Sequence, residues 1–186
     1  MIVSASSGPA TWRDWRSQIF CYGMTMIKIH HTVFAAALFL PAIAHAETKD
    51  EWITLGARIH GAFGPFIPVG IRIGLDAREK LKADPRGLTV TYYSGSKPPC
   101  PCVADGVMIA TQASPGQGTL QISPDKAPDG DMAVIVIKNR KTGERLKYTI
   151  TDEWLPKILG WIKSDPSARY DSAMSAEGLF QVEPVK

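Results

Sequence analysis

Histidine and cysteine are scarce in this chain of 186 residues, which carries four of the first and three of the second. His30, His31, His45 and Cys21 all precede Glu47, so the rest of the chain keeps only His60, Cys100 and Cys102. That inventory excludes a three-histidine metal site, haem attachment through Cys-x-x-Cys-His and a disulfide framework. A charge excess of one sign is also missing, with 21 Lys and Arg against 18 Asp and Glu. Three of the basic residues (Arg13, Arg16, Lys28) and one of the acidic (Asp14) precede Glu47, leaving a net charge of about +1 beyond it. No nucleic-acid partner is expected from so even a balance.

Long hydrophobic runs are lacking too. The apolar stretch from Val33 to Ile43 is well short of the roughly 20 residues a helix needs to cross a bilayer, so no membrane span is expected. With Lys28 ahead of it and Ala44-His45-Ala46 behind, it reads as a cleavable signal peptide. The expected product starts at Glu47 and works in the periplasm or otherwise outside the cytoplasm. Residues Met1 to Thr25 form a long leader that suggests a true start at Met24 or Met26. Residues 47–186 suffice for one core of ordinary size, and one domain is expected.

The patterning predicts an α+β fold in which a helical hairpin and further helices pack on a mainly antiparallel sheet. Trp52, Leu55 and Ile59 follow helical spacing from Asp50, with Gly61, Gly64 and Pro65 as the stop, so His60 sits at a helix C-terminus. A second helix spans about Pro68 to Lys82 and buries Val69, Ile73, Ala77 and Leu81. Leu88 to Tyr93 is a strand, Pro98 to Pro101 an extended approach, and a third helix runs from Cys102 to about Gln112 with Val103, Val107 and Ala110 inward. Ser114 to Gly118 is a turn without the Gly-Lys-Ser/Thr ending of a phosphate loop. Three strands follow at Thr119–Ser123, Met132–Asn139 and Arg145–Thr151, the middle one central because Ala133 to Ile137 has no polar face. A helix from Trp154 to Ile162, with Pro156 in its first turn, and an edge strand over Gly178–Val182 complete the order, with no βαβ unit expected.

Chemistry concentrates at Cys100-Pro101-Cys102. A disulfide between such close neighbours closes a small ring that is readily reduced, whereas a soft metal can be held by both sulfurs. Cys102 at a helix N-terminus has its thiolate favoured by the backbone dipole. Asp105 shares a helix face with Cys102 and can act as ligand, general base, hydrogen-bond partner of the His60 ring, or simply as a first-turn acid. His60 lies in a turn constrained by Gly and Pro, where sites are often placed.

With these residues in hand, the chain from about Trp52 to Ile162 resembles the core domain of the formylmethanofuran dehydrogenase E-subunit family. The matching features are His60-Gly61 with Pro65 behind it, the Gly70 and Gly74 helix, Cys102-Val-Ala-Asp105, and the Thr111 to Gly118 turn before a strand. The resemblance implies an α+β core, a homodimer, and a metal or active site around the histidine and the Cys-x-x-Asp helix. Where the family usually carries a second histidine and a cysteine in the first motif, this chain has Ala62 and Gly64. Where it usually carries a cysteine and a lysine in the glycine turn, this chain has Ala113 and Gln117. Cys100 offers a second thiolate instead.

The expectation is therefore a transition-metal site, Zn or Cu(I), formed by His60, Cys100, Cys102 and Asp105. His60, Cys102 and Asp105 are also the candidates for catalysis on a small-molecule substrate. The alternatives are a thiol redox protein cycling Cys100 and Cys102, and a small-molecule-binding module in which the cysteines are incidental.

Overall fold

A computed structural model describes residues 47–185; the expected leader and signal lie outside the described residues. Helix α1, Lys49–His60, starts in a capping box: Thr48 accepts from the Glu51 N–H while the Glu51 carboxylate accepts from the Thr48 N–H. It stops where Gly61 turns left-handed at φ 89°. Its apolar face differs from the expected one. Trp52 and Gly56 face the core, because Phe63 and Ile67 close so tightly over Gly56 that a Cβ there would lie 2.7 Å from the Phe63 ring. Leu55 and Ile59 are left 36% and 43% exposed.

Helix α2, Phe66–Lys80, carries the predicted stripe of Val69, Ile73, Ala77 and Leu81 into the core. Pro68 fits because its missing N–H falls in the first turn, where no helical acceptor exists. Strand β1, Leu88–Ser94, leads through a loop to helix α3, Val103–Thr111. That loop bends over residues 96–100 where an extended approach was expected. After a short 3-10 turn at Pro115–Gln117 come strands β2 (Leu120–Lys126), β3 (Asp131–Asn139) and β4 (Arg145–Thr151). Helix α4 (Trp154–Gly160), with Pro156 in its first turn, runs into a 3-10 turn at Trp161–Lys163. Helix α5 (Pro166–Ser175) and strand β5 (Gln181–Val185) end the described chain. No expected element corresponds to α5.

The five strands form one sheet in the order β2-β1-β3-β4-β5, with β3 in the middle as its all-apolar run predicted. The fold is α+β and the sheet mainly antiparallel, but β1 and β2 are parallel, with Val90 opposite Leu120. Parallel neighbours need a crossover, and α3 supplies it, so one βαβ unit sits inside the α+β frame contrary to the expected order. Leu88, Val90 and Tyr92 alternate inward and meet Ile135, Ile137, Tyr148 and Ile150 in the core, while Thr89, Thr91 and Tyr93 are only partly covered. Both edge strands contain a proline, Pro124 in β2 and Pro184 in β5.

Helices α2 and α3 pack backbone to backbone. A Cβ on Gly70 would lie 2.0 Å from the Val103 carbonyl oxygen, one on Gly106 would lie 2.1 Å from that of Ile67, and one on Gly74 would lie 2.6 Å from the Ala110 Cβ. Only glycine permits so close an approach. Helix α2 is tied in turn to the sheet by Tyr148, whose buried hydroxyl donates to Asp76 at 2.7 Å while Lys80 pairs with the same carboxylate at 2.5 Å. Burial first, then the hydrogen bond and charge of Asp76, hold the Tyr148 phenol well above its ordinary pKa. Among the described residues no helix is long and apolar enough to cross a membrane.

Candidate functional site

Cys102 is the N-cap residue of α3, 7% exposed, and the α3 backbone starts against it: the Asp105 N–H donates to the Cys102 carbonyl at 3.2 Å. The bend over residues 96–100 brings the half-buried Cys100 back onto it, and the two sulfurs are joined as a disulfide with their Cα atoms 5.3 Å apart. That separation lies inside the ordinary disulfide range of about 4.4–6.8 Å, so Pro101 between the cysteines does not prevent the bond.

His60 ends α1 where α3 begins. Its Nδ1 lies 2.7 Å from Asp105 Oδ2, both side chains being partly exposed. A carboxylate oxygen only accepts, so Nδ1 carries the proton and donates, and a neutral His60 ring keeps its lone pair on Nε2. Of the roles open to Asp105, the hydrogen-bond partner of His60 is the one seen. Asp105 also stands in the first turn of α3, where the positive end of the helix dipole favours a carboxylate.

The structure thus joins the four sequence-predicted residues in two pairs, Cys100 with Cys102 and His60 with Asp105, the pairs linked by the first turn of α3. The expected metal ligands are not gathered into one cluster. Among the described residues no group of three or more His, Cys, Asp or Glu side chains could hold a metal ion, and the sulfurs that would complete one are bonded to each other.

The turn that carries His60 is fixed by a residue sequence reasoning did not single out. Arg169 of α5 donates through Nη1 to the Phe63 carbonyl at 2.7 Å, while Nε and Nη2 reach the carbonyls of Trp161 and Ile162 at 3.2 and 2.7 Å. One planar guanidinium holds three carbonyls on two backbone segments, a geometry suited to arginine. The signal that could have located it is Asp165-Pro166, an N-cap followed by proline at the first helical position, which marks the start of α5.

At the other end of α3 the chain turns at Gln112, left-handed at φ 55°, and the Ser114 hydroxyl accepts from the Gln117 N–H. This is the plain turn expected there. A groove of about 460 Å³ runs between α1 and α3, floored by Leu55, Ile59, Met108 and Ile109 and closed by Gln112 and Gln117. It includes the two α1 side chains that the core leaves out.

No curated protein is similar enough to the chain to be matched with it. A family model described as FmdE, molybdenum formylmethanofuran dehydrogenase operon, matches residues 59–179, more than half of the chain and the segment that holds His60, Cys100, Cys102, Asp105 and Arg169. With the histidine helix, the Cys-x-x-Asp helix and the turn beyond it standing in the matched order, the chain belongs to the FmdE family.

Proposed function

We propose that this FmdE-family protein is exported and works as a dithiol–disulfide redox protein through Cys100 and Cys102, with His60 and Asp105 as the adjacent acid–base pair. The observation that carries this reading is the disulfide itself, set at the N-terminus of α3. Helix N-termini stabilise thiolates, so reduction by a partner dithiol yields a Cys102 sulfur poised to attack again. In that exchange one thiolate of the partner attacks a sulfur of the disulfide, and the other sulfur leaves as thiolate and takes a proton. The partner's second thiolate then attacks the partner sulfur of the mixed disulfide, closing the partner's disulfide and releasing the remaining cysteine as a thiolate that is protonated in turn. His60 can supply or take that proton, since Asp105 fixes its tautomer. The apolar run ahead of Ala44-His45-Ala46 supports export, into a compartment where disulfides persist.

The test is alkylation of residues 47–186 in glutathione or dithiothreitol redox buffers, read by mass spectrometry. Both cysteines should become reactive together at one reversible potential. A pair that stays oxidised through all of these buffers, or opens and never closes again, sinks the reading.

A second reading is favoured by the His60–Asp105 bond. A histidine that donates Nδ1–H to a carboxylate is held as metal-ligating histidines usually are. In the opened form the Cys100 and Cys102 thiolates with His60 would offer Zn or Cu(I) a soft ligand set, and the metal would supply Lewis acidity or a carried ion. Elemental analysis of the reduced protein under anaerobic conditions, beside His60→Ala and Cys102→Ala variants, separates the two. Stoichiometric metal lost in both variants supports the metal site, whereas none in the parent leaves the redox reading alone. The exposed Leu55 and Ile59 support a homodimer built over the α1–α3 groove.

A further inference from the structure

At the end of the fold away from the cysteines, two loops distant in sequence meet around a depression of about 390 Å³. Lys82, Arg140 and Lys141 line it with Asp84, over Gly87 and Asn139. None of the three cations forms an ion pair with a carboxylate among the described residues, although four lysine–carboxylate pairs occur elsewhere among them. The lining therefore carries three positive charges and one negative in a concave surface.

The rim is held firmly. Asn139, 4% exposed, donates to the Leu81 carbonyl at 2.9 Å and accepts from the Lys141 and Thr142 N–H groups at 2.8 and 3.2 Å. The Arg140 N–H donates to the Gly87 carbonyl at 2.9 Å, and its Nη1 donates to the Arg86 carbonyl at 3.2 Å. Lys82 and Arg86 both adopt left-handed backbone, at φ 48° and 69°, a conformation that costs a non-glycine residue energy and that the surrounding bonds maintain. Lys82 follows the cap of α2, where glycine is the usual choice, so a long cation stands where chain geometry alone would favour no side chain.

We infer that this pocket binds an oxyanion group, the phosphate or sulfate of a small molecule, between Lys82, Arg140 and Lys141. Three cations that line one depression on fixed backbone concentrate potential on an anion, and an arginine fork suits tetrahedral oxygens. The volume lies in the range of small-molecule sites, about 300–1,000 Å³, so the anion is one end of a larger ligand. Asp84 selects against ligands with further negative charge on its side. The inference is independent of the redox or metal reading, because the pocket shares no residue with that site.

The probe is inorganic phosphate, titrated into residues 47–186 at constant ionic strength and followed by amide chemical shifts. Saturable shifts are expected over residues 139–142. Lys82→Gln and Lys141→Gln should each weaken binding about threefold, the scale of a single exposed charge contact, and Asp84→Asn should tighten it by a similar factor. Shifts that fail to saturate, that chloride reproduces at equal ionic strength, or that ignore all three substitutions would overturn the proposal.

Discussion

Two of the contacts that α3 makes with other helices are built on opposite principles. Against α2 it presents Gly106 and Ala110, and the backbones meet with nothing between them. Against α1 it presents Asp105, Met108 and Ile109, and the helices are held apart by side chains that leave a groove. The first contact has no tolerance and therefore fixes where the N-terminus of α3 lies. The second has room for chemistry because the first is rigid. Site residues on α3 are thus positioned by glycines on its far side that touch nothing reactive.

Breaking the tight contact should have the largest effect. Gly106→Ala drives a methyl onto the Ile67 carbonyl, and a destabilisation of about 3 kcal/mol or more is expected in urea unfolding. A variant within about 1 kcal/mol of the parent would show that the helices can part freely, and the contrast would be lost. Arg169→Gln comes next. It deprives three carbonyls of their donor, at a cost of about 1–3 kcal/mol, and should speed hydrogen exchange in residues 61–65 more than in α2.

His60→Ala sharpens the comparison from the other side. A partly exposed pair contributes about 0.2–1 kcal/mol, so unfolding should hardly change while thiol exchange at Cys102 slows. Equal loss of stability and reactivity would make His60 a structural residue. The smallest effect concerns Asp165, whose carboxyl is held below its ordinary pKa, chiefly by the Ala168 N–H with help from the Ser167 N–H and the charge of Lys49. A depressed carboxyl stabilises the fold above its unfolded pKa, near 3.8, and loses that contribution as pH falls through its lower folded value. Asp165→Asn should therefore melt below the parent at about pH 6 and converge with it in strong acid.

Much of this division was legible in the chain. Val69, Ile73, Ala77 and Leu81 repeat at helical spacing and are buried as a set, and the unbroken apolar run of Ala133 to Ile137 could only be a central strand. The same reading misplaced the buried face of α1, since spacing shows that Leu55 and Ile59 share a side with Trp52 but not that Phe63 would claim Gly56 instead. Helix α5 escaped notice because it buries only Ala173 and so has almost no apolar period to detect. The pairing of His60 with Asp105 spans 45 positions and cannot follow from spacing. It was one of several roles open to Asp105, and tertiary packing of α1 against α3 selects it. That Cys100 would turn back onto Cys102 was obscured by the surrounding prolines, which suggest extension where the loop bends.

The prolines at the two margins of the sheet have a separate consequence. Pro124 falls in the irregular stretch where β2 leaves register with β1, and Pro184 faces Leu146 in the last strand. Each removes a donor from the rim to which a foreign strand would bind. Edge-to-edge addition of a further strand is disfavoured at both margins, which lowers the tendency to polymerise even when the protein is concentrated.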